Sequence, residues 1–194
     1  MRWLALVLMV GVARADSPAD LVDVATLVPD AVLDLRYATE HNFTGKKLYP
    51  EAHCKLRRAV ADKLVAAAKA LRAQDRRLVI WDCYRPTSIQ KKLWKLVPDE
   101  RYVANPAKGS NHGRGAAIDV GLVAKDGHAV VLPTDFDDFT VAAHRDHALK
   151  GERGAEARRL EKAMQDAGWK GMPTEWWHFD DVGATTYPLS DDPL

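Results

Sequence analysis

Ala116-Ala117-Ile118-Asp119-Val120-Gly121-Leu122-Val123, followed by Asp126-Gly127 and then by Ala129-Val130-Val131-Leu132, is where the chain declares its architecture. An apolar run, a turn pair and a second apolar run read as strand, hairpin turn and return strand, because Asp-Gly tolerates the backbone that a tight hairpin demands. Upstream, Leu78-Val79-Ile80-Trp81 reads as a buried strand running into Asp82-Cys83-Tyr84-Arg85-Pro86. Pro86 suits the first turn of a helix predicted over Thr87 to Leu96. Leu56, Val60, Leu64, Ala68 and Leu71 recur at helical spacing and predict an amphipathic helix from about Lys55 to Ala73. Val32 to Tyr37 alternates imperfectly and reads as a strand, with Asn42-Phe43-Thr44-Gly45-Lys46 as a turn. Downstream, Leu160, Ala163, Met164 and Ala167 mark a helix from about Glu152 to Asp166 that Gly168 ends. Trp176 to Phe179 is a last strand. Hairpin-linked strands with helices outside the ladder give an α+β fold, a mostly antiparallel sheet with helices packed outside it.

The chain has 194 residues, 47% of them hydrophobic and 28% charged, which suits one globular domain with a real core. A formal net charge of +1 leaves no basic surplus for a nucleic-acid partner. The first residues read differently from the rest. Met1-Arg2 is followed by an apolar run, Trp3 to Val12, too short to span a bilayer, and then by Ala13-Arg14-Ala15, which fits a small-residue cleavage site. Residues 1–15 are therefore expected to be a cleaved secretory signal, leaving residues 16–194 as a single domain, exported to the periplasm (if the cell is bacterial) or secreted, with no stable membrane anchor. Losing Arg2 and Arg14 turns the net charge from +1 to −1. The chain's cysteines, Cys54 and Cys83, could pair in an oxidising compartment or remain apart; sequence does not fix the distance between them.

Two segments carry candidate chemistry, Ser110-Asn111-His112-Gly113-Arg114-Gly115-Ala116-Ala117-Ile118-Asp119 and Glu175-Trp176-Trp177-His178. Together they offer two imidazoles and a carboxylate as ligands plus one further carboxylate, the inventory of a catalytic zinc site with a base for water. Neither spacing belongs to a regular element. Gly113-Arg114-Gly115 break any helix after His112, so His112 and Asp119 must converge through a loop bend. Asp119 in an apolar strand costs several kcal/mol unless it is paired or metal-bound, although alternation also permits one solvent-facing Asp. On a regular strand Glu175 and His178 point to opposite faces. They can serve one metal only if Glu175 comes from the preceding turn or the strand bulges; otherwise this is an aromatic-rich core strand with a hydrogen-bonded His. Trp176 and Trp177 read mainly as packing. His144-Arg145-Asp146-His147 reads as a solvated polar face, and His41, His53 and His128 as surface or turn residues. Residues 98–114, rich in Pro and Gly, read as a long loop of the kind that is often functional.

The chain resembles the zinc D-alanyl-D-alanine dipeptidases, the family that includes the vancomycin-resistance D,D-dipeptidases. The resemblance rests on S-x-H-x-x-G-x-A-x-D (Ser110 to Asp119), E-x-W-H (Glu175 to His178), N-F-T-G (Asn42 to Gly45) after an early Tyr, D-x-Y-R-P (Asp82 to Pro86) and the Phe136-Asp137 pair. These run in order over nearly the whole mature chain. The resemblance implies a hedgehog/D,D-peptidase-like fold and one Zn2+ per chain, held by His112, Asp119 and His178. It implies Glu175 as general base and then acid, and Arg85 as the donor that stabilises an oxyanion. Ser110, Asp137 and Tyr37 would hold the dipeptide, Asp137 its ammonium, although Asp135 and Asp138 flank that position. Asp82 would position Arg85 or Tyr84, or else cap the strand end. The implied activity is hydrolysis of D-Ala-D-Ala in cell-wall turnover. Two alternatives stand beside it: a D,D- or L,D-carboxypeptidase on longer wall peptides, decided by the loops around 98–110 and 133–150, and a non-catalytic zinc-stabilised wall-binding module. Glu175 and Arg85, both present, count against the module. Oligomeric state stays open.

Overall fold

In the computed structural model, which describes residues 16–194, the apolar runs at 78–81 and 116–123 become the two inner strands of a five-stranded sheet. The chain runs β1 (Leu21–Asp23), α1 (Val24–Leu27), β2 (Val32–Leu33), β3 (Lys55–Arg57), α2 (Arg58–Arg72), β4 (Arg76–Asp82), α3 (Thr87–Leu96), β5 (Ala117–Ala124), α4 (Arg145–Ala148), α5 (Ala155–Asp166), β6 (Trp169–Met172) and β7 (Glu175–Asp181). The main sheet has the order β2-β4-β5-β7-β6, and β1 pairs with β3 in a small second sheet. Only β2 joins β4 in parallel; the other three pairings are antiparallel. The architecture is α+β, with a mostly antiparallel sheet as read. The secretory leader expected over residues 1–15 lies outside the described residues. No helix among the described residues is long and apolar enough to cross a membrane.

Helices α2 and α5 pack against each other and against β4 and β5. Leu64, Leu71, Leu160 and Met164 are fully buried there, and burying each such side chain is worth about 1.5–3 kcal/mol. Lys63 on α2 reaches across to a buried Asp181 on β7, and Arg76 at the start of β4 grips Glu156 on α5 at 2.7 Å. Among the described residues, the opposite face of the sheet carries no long helix. Trp81 stacks on Phe136 there and meets Trp176 edge to face, so the loop around residue 136 covers that face with aromatic rings. Gly121 of β5 makes room for this layer: a Cβ at that position would stand 2.4 Å from the Trp81 ring.

Several boundaries differ from the sequence reading, each for a physical reason. The helix over Thr87 to Leu96 forms as expected. The expected helix from Lys55 starts instead at Arg58, because Lys55–Arg57 pairs with β1. The strand expected over Val32 to Tyr37 is two residues long; Arg36–Ala38 then tightens into a 3-10 turn. The Asn42 amide imposes that turn, donating to the carbonyls of Arg36, Thr39 and Lys46. The return strand at Ala129 to Leu132 does not form beyond a single bridge, Val123 to Ala129. β7 already occupies that edge of β5, so the chain leaves the sheet to build the covering loop. Strand β6 has no clear signal in the sequence, since Gly171 interrupts its pattern. Cys54 and Cys83 are joined in a disulfide.

Candidate active site

Two β-bulges aim the site. Across β4 and β5, Ile80 pairs with Val120, yet Asp82 pairs with Asp119, leaving Trp81 as a surplus residue. Residues paired across a sheet share a face, and one extra residue reverses the alternation beyond it. Asp82 would otherwise share the helix-covered face with Ile80; the bulge turns it onto the face of Asp119. The second irregularity lies between β6 and β7, where Gly171 pairs with Phe179 but Met172 pairs with Glu175. Trp176, Trp177 and His178 have no partner on β6, so Glu175 and His178, out of phase on a regular strand, meet on one side. Trp176 and Trp177 are buried packing residues.

His112, Asp119 and His178 converge into the one candidate metal-holding cluster among the described residues, their ligand atoms all within 4.8 Å of one another. His112 Nε2 lies 3.2 Å from His178 Nδ1 and 3.4 Å from Asp119 Oδ2, and His178 Nδ1 lies 3.0 Å from Asp119 Oδ1. A tetrahedral zinc with ligands at ~2.0–2.1 Å has ligand–ligand edges of roughly 3.3 Å, so the spacing fits. The outer nitrogens settle what faces inward. His112 Nδ1 is 2.7 Å from the Cys83 carbonyl, which can only accept. His178 Nε2 is 3.0 Å from Asp180 Oδ1. Each outer nitrogen thus carries the proton, and both inner nitrogens present lone pairs beside a carboxylate. Three buried electron-rich atoms at this separation repel one another without a cation between them, and the donor set suits a metal.

All eight residues singled out in the sequence line one cavity of about 100 Å³ over this cluster: Tyr37, Arg85, Ser110, His112, Asp119, Asp137, Glu175 and His178. Glu175 Oε2 stands 4.0 Å from His178 Nδ1. Burial raises its carboxyl to about 7. Arg85 is fixed on three sides. Its Nε donates to Asp82 Oδ2 at 3.0 Å, Nη2 donates to the same oxygen, and Nη1 donates to Gln90 Oε1 at 2.8 Å. Two of its five N–H donors remain for the cavity. Asp82 is itself held by the Tyr49 hydroxyl and the Cys83 amide, so of the readings open to it the bonds from Arg85 support the one in which it positions that guanidinium.

Asp137, not its neighbours, faces the cavity. Its φ of 58° is left-handed, uncommon for a residue other than glycine and tolerated best by Asn and Asp. Burial, then the negative charge of Asp119, raises its carboxyl well above the ordinary range. The Tyr37 hydroxyl donates to it at 3.1 Å, and burial in turn keeps Tyr37 a phenol. Asp135 pairs with Arg36 and Asp138 caps Thr140, both on the outside. Ser110 sits at the rim, its hydroxyl accepting from the His112 amide at 3.3 Å. Residues Glu100 to Ala104, within the expected long loop, form the roof.

The family model described as D-ala-D-ala dipeptidase, Peptidase_M15, matches residues 17–192. The chain belongs to that family. A D-alanyl-D-alanine dipeptidase of Escherichia coli (strain K12) is 36% identical over 174 residues, covering 89% of this chain and 90% of the relative. Enzymes of the same name from Enterococcus faecalis (strain ATCC 700802 / V583) and Enterococcus faecium are 33% and 32% identical, each covering 82% of this chain and 86% of the relative.

Membership of the family matches the sequence reading, while two residues that hold His178 in place escape it. Asp180, partner of His178, is an acid two positions along a strand and therefore on the same face; that spacing alone could have found it. Arg145 is buried, contrary to the solvated face expected for His144 to His147, and its guanidinium donates to the His178 carbonyl at 2.8 Å. No local pattern signals this.

Proposed function

We propose that this chain hydrolyses D-Ala-D-Ala to free D-Ala with one zinc ion per chain. The observation that carries the reading is the convergence of two lone-pair imidazoles, Asp119, a raised Glu175 carboxyl and a rigid Arg85 on one small cavity. His112, Asp119 and His178 would hold the ion, which would supply a Lewis acid for the scissile carbonyl and make water a better proton donor. Glu175 takes the proton from the attacking water and returns it to the leaving amine. Arg85 donates from its free N–H groups to the oxygen on which negative charge develops. Asp137 receives the substrate ammonium, whose positive charge brings the raised carboxyl back to its ionised form, and Tyr37 holds that carboxyl in place. Ser110 binds at the other end of the dipeptide. An ammonium site and an oxyanion site in one small enclosed space select a molecule with both ends free and close together.

The leader read over residues 1–15 supports export, and with it a role in recovering D-Ala during cell-wall turnover. One observation favours a second reading. An apolar cavity of about 370 Å³, lined in part by Phe139 and Val141, adjoins the first and shares Tyr102, Met172 and Glu175 with it. That room suits a longer wall peptide. Both readings meet their test in one assay of the mature protein on D-Ala-D-Ala, L-Ala-D-Ala and a wall pentapeptide, with and without chelator. Cleavage of D-Ala-D-Ala alone, lost on chelation and regained with zinc, is the expected result. Trimming of the pentapeptide would move the function to the second reading, and a protein that binds zinc without turning over any of the three would defeat both.

A further inference from the structure

Arg145 opens α4 and is buried, although neither the metal cluster nor the cavity uses it. Three of its hydrogen bonds end on one short stretch. Its backbone N–H donates to Pro173 O at 2.9 Å, its Nε to Met172 O at 2.8 Å and its Nη2 to His178 O at 2.8 Å. Nη1 meets Glu161 at 3.3 Å, and the guanidinium carbon lies 4.4 Å from the centre of the Phe179 ring. The passing strand is cut back to let it in: a Cβ on Gly171 would lie 2.1 Å from Arg145 Cζ.

The two side-chain acceptors bracket the second bulge. Met172 is the β6 residue opposite Glu175, and His178 ends the three surplus residues that follow. Surplus residues lack a ladder on that side, so β6 does not fix their path. A guanidinium can do so, since its planar fork reaches two acceptors while its face stacks on a ring. We infer that Arg145 is a positioning residue, holding the surplus part of β7 in the arrangement that sends Glu175 and His178 into the same cavity. The inference rests on the roles proposed above for those two residues. Glu175 depends on it most, because its carboxylate reaches the cluster only by the 4.0 Å approach to His178 and follows the backbone that carries it.

The test is R145K in the full mature chain. A lysine keeps the charge but cannot fork between Met172 O and His178 O. With zinc-loaded protein and D-Ala-D-Ala, kcat should fall about ten- to a hundredfold, the scale expected for a misplaced reacting group. KM should stay within about threefold, and zinc should remain at about one per chain. In metal-free protein, the imidazole NMR signals of His178 should move while those of His112 stay. Unchanged kcat together with unchanged His178 signals in folded R145K would overturn the inference, as would a loss of activity that tracks only a fall in Tm. If R145K does not fold, G171A, which crowds the guanidinium from the strand side, takes its place in the same measurements, and the same results support or overturn the inference. If the parent protein does not cleave the dipeptide, the functional reading has failed, and the His178 signals alone decide the role of Arg145.

Discussion

The face of the sheet beneath α2 and α5 keeps strict alternation, with Leu78 and Ile80 on β4 and Ile118, Val120 and Leu122 on β5 all buried. The opposite face breaks the alternation twice, at Trp81 and again at Trp176 to His178. Regular pairing on one face buries apolar area and supplies stability. The irregular face gives up ladder positions and gains direction: Asp82 is flipped toward Arg85, and Glu175 is brought round beside His178. Stability and chemistry therefore load opposite sides of the same five strands, and substitutions on the two sides should fail in different ways.

The sharpest version of that contrast is E175A. On the irregular face it should lower kcat for D-Ala-D-Ala by about a thousandfold, within the usual range for a lost general base, while zinc content by metal analysis and Tm stay near the parent. Loss of the metal instead would make Glu175 a ligand and blur the contrast. L160A, on the helix side, should do the reverse. It should cost about 2–5 kcal/mol of stability by denaturant titration and leave kcat per folded molecule unchanged. D180A should weaken zinc binding about ten- to a hundredfold in a competition titration, the usual effect of removing a ligand's outer partner, with little change in Tm. A large loss of stability from D180A would mean that the carboxylate serves the sheet rather than the metal.

E156Q gives the smallest effect and a pH signature. The hydrogen bond from Arg76, against some opposing burial, holds the Glu156 carboxyl below its usual value. A depressed carboxyl contributes stability above its unfolded pKa of about 4.3, and that contribution fades as pH falls through the folded value. E156Q should therefore be less stable than the parent by about 1 kcal/mol at pH 7, with the gap closing below about pH 4. A gap constant with pH would show that packing, not charge, joins α5 to β4.

The same division explains what the chain reveals before it is folded. Helix α3, Thr87–Leu96, is legible because Pro86 marks its start. The α5 helix is legible because its apolar positions repeat at helical spacing, and the strand at 78–81 because it is a short unbroken apolar run. The proposed metal ligands are legible as residue types in ordered motifs, but the reason they meet is not, because a bulge leaves no periodic trace. Tyr37 leaves the expected strand for a 3-10 turn under the pull of the Asn42 side chain, a contact that no alternation pattern encodes. Arg145 reads as solvated in the sequence because its partners are carbonyls of a strand far along the chain.

The disulfide between Cys54 and Cys83 has a consequence for metal chemistry. It closes a loop across 29 positions and ends beside the carbonyl that sets the His112 proton. Such a loop restrains the unfolded chain by roughly 3–4 kcal/mol. It also uses both of the chain's two cysteines. Thiolates are the strongest common rivals of imidazole and carboxylate for zinc, and the first side chains to be lost to oxidants. With both sulfhydryls tied up, the folded molecule offers a soft cation no thiolate, and the one three-ligand cluster among the described residues is His112, Asp119 and His178.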